Sequence, residues 1–236
     1  MISEDSVFPE SDIINFMRAV ATGWGTHYEM GADFNYEPTQ AESITALARE
    51  KGVSESEYAY DLMMADGGTG FIYFPILNYR DGNLDFLEAL QIRKDTVNSL
   101  SDAGAHCGTI CDAASTTFML QYWVKDRLGA RITIQNAIRR QCHDTARLYA
   151  LDDRGAIARG FLADLNVIDM DKISLDKPWL AFDLPAGGKR LLQKANGYIA
   201  TIKSGQITFR NGVMQGPTPG IVIRGPQTID YSVPAK

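Results

Sequence analysis

Histidine is scarce in this 236-residue chain. It occurs three times, at His27, His106 and His143, and never as a His-x-His pair. An aspartate that serves a metal here therefore lacks most of the partners such a centre needs. Cysteine is equally sparse, at Cys107, Cys111 and Cys142. An odd count this low excludes a disulfide framework and fits a reducing compartment. Basic excess is missing as well: the formal net charge is −6, so nucleic acid is not the expected partner. No run approaches the ~18 apolar residues of a membrane-spanning helix, and no membrane partner is expected. The opening residues Met1-Ile2-Ser3-Glu4-Asp5-Ser6 are acidic and carry no apolar core, unlike a secretory signal. With the cysteine usage, this makes a cytoplasmic location the expectation.

What is present is ordinary for a globular protein. Hydrophobic residues make up 45 % and aromatics 10 %, enough for a core, and the length suits one large domain or two small ones. The spacing Asp12 to Val20 is helical, and Gly23-Trp24-Gly25 stops it. Residues 27–31 alternate and read as a short strand. Thr39 with Glu42, and Ser54 with Glu57, are capping boxes that open two helices. Ile44, Leu47 and Ala48 share a face of the first helix, and Gly52 closes it. The near-continuous apolar run Phe71 to Leu77 reads as a strand buried on both faces of a parallel sheet. Residues 83–92 are an amphipathic helix. Residues 113–125 are apolar over most of their circumference and predict a buried helix with Trp123 and Tyr122 in the core. Residues 133–148 give another helix, with Ile134, Ala137, Ile138, Ala146 and Leu148 as its inner face.

Strands alternating with helices indicate βα units. The texture changes near Gly155. Beyond it come short strands at residues 165–169, 180–184, 198–203 and 206–210. The dipeptides Ser204-Gly205 and Asn211-Gly212 are hairpin turns, because their backbone must take positive φ. The Gly- and Pro-rich tail is expected to be irregular. The chain thus divides into an α/β part, residues 1–154, and a β-rich part, residues 155–236.

The hexapeptide Ser101-Asp102-Ala103-Gly104-Ala105-His106 follows the extended run Thr96-Val97-Asn98-Ser99-Leu100. An acid at the carboxyl end of an apolar strand is where barrel enzymes present a ligand or base. The same residues also suit a turn or helix cap, with Asp102 held by backbone N–H groups. His106 reads either as a pocket residue or as a hydrogen-bonded structural one. Cys107 and Cys111, four apart, offer half of a metal clip, but two small buried side chains beside a turn explain them as well. His27 reads as structural, and His143 as a surface residue or an interhelix contact. Arg139, Arg140 and Arg147, with Asp144 nearby, read as a salt-bridged, solvated helix face. Gly187-Gly188-Lys189-Arg190 lacks the spacing of a phosphate loop.

Several segments taken in order carry a resemblance. They include Asn35-Tyr36-Glu37-Pro38, Ala59-Tyr60-Asp61-Leu62, Phe74-Pro75-Ile76-Leu77-Asn78-Tyr79 and Asp81-Gly82-Asn83-Leu84. The run Leu100 to Gly108 follows, then Asp144-Thr145-Ala146-Arg147, Ala163 to Asp169 and Asp183 to Gly188. Through them the chain resembles the C-terminal portion of an N-acyl-D-amino-acid deacylase (D-aminoacylase) of the amidohydrolase superfamily. The resemblance implies a whole enzyme about twice this length, a (β/α)8 barrel with a small β-sandwich built from both chain ends. This chain would hold the last two or three βα units of that barrel, followed by the C-terminal β-rich part of the sandwich.

The resemblance also implies a divalent metal, zinc, in the complete enzyme. The ion polarises an amide carbonyl and acidifies a water. Asp102 takes the place of the metal-binding, proton-transferring carboxylate, and His106 that of a substrate contact. The family's other metal ligands would lie upstream of Met1. The implied substrate is a small N-acyl amino acid or related amide. The chain alone is then expected to bind no metal and to be inactive. The alternatives are a non-catalytic half that completes a split barrel with an N-terminal partner chain, and a truncated remnant. Open strand edges add an expectation of self-association.

Overall fold

Two helices separate the first strand from the second, and that connection decides how the strands pair. In the computed structural model, which describes residues 18, 20–31, 34–79, 81–98, 108 and 111–229, the chain forms two compact units, Met1–Leu84 and Asp85–Lys236.

The first unit begins with a 3₁₀ turn, Trp24–Thr26, that leads into β1, Tyr28–Glu29. A second 3₁₀ turn, Gln40–Glu42, carries the Thr39/Glu42 capping box. Helix α1, Ile44–Lys51, starts at Ser43, whose hydroxyl accepts from the Ala46 N–H, and ends at Gly52 in the left-handed conformation. Helix α2, Glu55–Gly68, is capped by the Ser54 side chain and leaves helical geometry at Ala65–Gly67. β2, Ile72–Tyr73, then pairs antiparallel with β1, Tyr28 opposite Tyr73 and Glu29 opposite Ile72.

The parallel sheet expected from strand–helix alternation is therefore not what these two strands make. One crossover helix returns the chain parallel, whereas the α1–α2 hairpin reverses it twice and brings β2 back antiparallel. The predicted seven-residue strand also shortens to two residues, which are half-buried. Ile44, Ala48, Tyr58 and Ala59 form the buried centre, with Trp24, Leu47, Val53, Leu62 and Ile72 packed around it.

The second unit opens with α3, Asp85–Ile92. α4, Ser115–Phe118, runs on as a π-helical stretch, Met119–Asp126. The wide turn ends with the Arg127 N–H donating to Tyr122 O at 2.9 Å, five residues back. Met119, Leu120 and Trp123 are buried. The opposite contacts are polar. Thr117 Oγ1 lies 2.8 Å from the Tyr198 hydroxyl, Gln121 Oε1 accepts from Leu175 N–H at 2.8 Å, and Lys125 Nζ donates to Ile173 O at 2.9 Å. Steps of four residues keep these three side chains on one face, and that face ties the helix to the strands.

α5, Ile134–Arg139, passes through a second π-helical stretch, Arg140–Asp144, into α6, Thr145–Leu148. Ala137 and Ala146 are buried as expected, but Ile134, Ile138 and Leu148 are exposed, Leu148 the most at 61 %. The wide turn between the two helices changes the phase of the face, so regular helical spacing from Ala137 no longer points Leu148 inward.

The β-rich part holds a four-stranded antiparallel sheet in the order β10–β9–β8–β3. Its strands are β3, Leu165–Ile168, β8, Tyr198–Lys203, β9, Gln206–Arg210, and β10, Val213–Met214. Ser204, Gly205, Asn211 and Gly212 all have positive φ, as the two hairpin dipeptides require. Two small antiparallel pairs complete the unit: β4, Ser174–Leu175, with β7, Ala195–Asn196, and β5, Trp179–Leu184, with β6, Gly188–Leu192. The Gly187–Arg190 segment is thus the start of a strand, and Arg190 pairs with Asp183 at 2.7 Å across the hairpin. Mixed helix and sheet is the observed class. The tail is pinned where Gln227 exchanges backbone hydrogen bonds with Ala150 and Asp152, at 2.8 and 3.1 Å.

Candidate active site

Asp102, His106 and Cys107 lie outside the described residues. The described chain on either side of them is held by two consecutive residues. Before the interval, the Arg140 guanidinium donates to Arg93 O and to Thr96 O, both at 2.7 Å. After it, Gln141 Nε2 donates to Thr116 O at 2.9 Å. The Thr96 hydroxyl in turn donates to Leu90 O at 2.7 Å, closing the end of α3. The other end of α3 is held by Arg127, buried against the Trp123 ring at 4.8 Å and paired with Asp85 at 2.6 Å.

Arg140 corrects the reading of Arg139, Arg140 and Arg147 as one solvated face. Arg139 pairs with Asp144, and Arg147 with Asp152, both on the surface. Arg140 is only 4 % exposed. Its position three residues after Ala137 puts it on the buried helix face, and that spacing was the available signal. Among the described residues, His27 Nε2, Gln91 Oε1, Asn98 Nδ2 and Arg140 Nε are buried polar atoms without a hydrogen-bond partner. Such atoms are uncommon in finished interiors; two of the four belong to residues 91–98, and a third to Arg140, whose guanidinium bonds that stretch.

The remaining histidines serve other contacts. His27 is buried, its Nδ1 2.7 Å from Gly23 O and its ring stacked on Phe74 at 4.4 Å. His143 Nδ1 lies 3.1 Å from Asp144 Oδ1 at the surface. Burial alone would raise the Asp144 carboxyl; hydrogen bonds from His143 and Arg139 outweigh it and hold the group below the ordinary carboxylate range. Cys142 is exposed as a residue, while local desolvation of its thiol pushes that group's pKa up. Among the described residues no group of three or more His, Cys, Asp or Glu side chains comes together in a way that could hold a metal ion. These residues do not fit a metal centre on their own.

The amidohydrolase family's sequence model matches residues 10–209. The chain belongs to the amidohydrolase family. The matched span runs from before β1 into β9, and residues 102 and 106 fall within it. Membership supports a metal-dependent, hydrolase-like function. No curated protein and no solved structure gave a match. Among the described residues no helix is long and apolar enough to cross a membrane.

Proposed function

We propose that this chain is the C-terminal portion of a metal-dependent amidohydrolase that cleaves the amide bond of N-acyl-D-amino acids or related small amides. The match to the family over residues 10–209 carries the reading, and the run Ser101 to His106 within it gives the finer assignment. In this reading residues 1–154 are the C-terminal part of the (β/α)8 barrel domain, and β1 and β2, which pair antiparallel, are not two of its parallel strands. Residues 155–236 are the C-terminal share of a β-sandwich.

Asp102 is the reacting carboxylate. It takes a proton from the attacking water and returns it to the leaving amine, as general acid–base catalysis of amide hydrolysis requires. His106 contacts the substrate. Zinc is the ion we assign to the complete enzyme. One carboxylate cannot hold a catalytic ion by itself, so the chain alone is inactive.

A second reading makes the chain the non-catalytic half of a split barrel. Among the described residues, exposed large apolar side chains outnumber the buried ones. They include Phe86 and Ile92 on α3 and Trp179 and Phe182 on β5, and surfaces of that kind are what a partner or a second copy covers.

The test is hydrolysis of N-acyl-D-amino acids by the purified chain with added zinc, alone and co-expressed with an N-terminal polypeptide that carries a His-x-His pair and two later histidines. Turnover only by the pair, lost on Asp102→Ala, is expected. Turnover by the chain alone, lost on the same substitution, overturns the incomplete-site claim and keeps the hydrolase. A pair that assembles but cleaves only L-configured substrates overturns the substrate class.

A further inference from the structure

No further inference is drawn: the strongest candidate, the cluster of buried polar atoms on Gln91, Asn98 and Arg140 at the end of α3, belongs to the candidate site already described, and the next, the exposed apolar faces of α3 and of the β5–β6 hairpin, has nothing in the structure to show what covers it.

Discussion

The guanidinium of Arg140 donates to both oxygens of Thr96, the carbonyl at 2.7 Å and the hydroxyl at 2.9 Å. The same group reaches Arg93 O. A single buried cation thus ends α3 and fixes the chain six residues before Asp102. Its planar fork suits this task, since an ammonium has no rigid pair of donors to span two carbonyls.

Arg140→Met should therefore be costly. Two charge-assisted bonds to part-buried carbonyls vanish, a loss of about 2 kcal/mol. Thr96→Val keeps the carbonyl contact and gives up only hydroxyl bonds, so about 1 kcal/mol is expected. Arg140→Lys should fall between them. Urea unfolding of the three variants checks the order, and equal midpoints for Arg140→Met and Thr96→Val would show that the carbonyl contacts contribute nothing.

The Tyr79 hydroxyl donates to Pro38 O at 2.7 Å in a buried position. Burial first, then the neighbouring Tyr28, Glu37 and Glu42, push its pKa up from 10.0 to about 12. The unfolded chain therefore loses this proton before the folded one does. Stability from this group is whole below pH 10 and declines as pH rises toward 12. Tyr79→Phe should cost about 1 kcal/mol at neutral pH, yet flatten the alkaline decline. Thermal unfolding from pH 8 to 11.5 reads both effects; a variant whose alkaline slope matches the parent's would remove Tyr79 as the cause.

Gly70 sits where α2 hands over to β2. A Cβ built there would lie 1.9 Å from Leu62 O, a backbone atom that cannot step aside. Gly70→Ala should destabilise the first unit by at least about 2 kcal/mol, since the clash forces the backbone to move. Gly25→Ala is the control, because its Cβ would meet nothing closer than Thr45 Oγ1 at 3.7 Å. Denaturation midpoints separate the two, and a silent Gly70→Ala would mean that the α2–β2 connection differs from that described.

Local chemistry was the legible part of this sequence. The Thr39/Glu42 box, the Ser54 cap, the left-handed Gly52, and the Ser204-Gly205 and Asn211-Gly212 turns depend only on neighbours within a few residues, although the box closes a 3₁₀ turn and it is Ser43, not Thr39, that caps α1. So did the strands around Val167, Ile202 and Ile207. Strand direction was not legible, because it depended on the α1–α2 hairpin as a whole rather than on the alternation of elements. The π-helical stretches also escaped. A repeat of 3.6 residues predicts Leu148 inside, and nothing in residues 140–144 announces the wide turn. The family could be read directly from the sequence, whereas Asp102 and His106 lie outside the described residues. The buried partnership of Arg140 with Thr96 could not, because an arginine among Arg139, Asp144 and Arg147 carries the composition of a surface.

The metal itself offers the sharpest test. Zinc takes four ligands in most protein sites, and a catalytic site supplies about three from the protein. His27 and His143 are engaged with Gly23 and Asp144. Asp102 alone would bind an ion no better than any surface carboxylate. The chain purified with zinc and then desalted should retain far less than one equivalent, and Asp102→Asn should leave that residue of metal unchanged. Elemental analysis on the main size-exclusion peak reads this directly. Stoichiometric zinc that survives desalting and falls on Asp102→Asn would mean that the full donor set is present in this chain, and that it is an enzyme by itself.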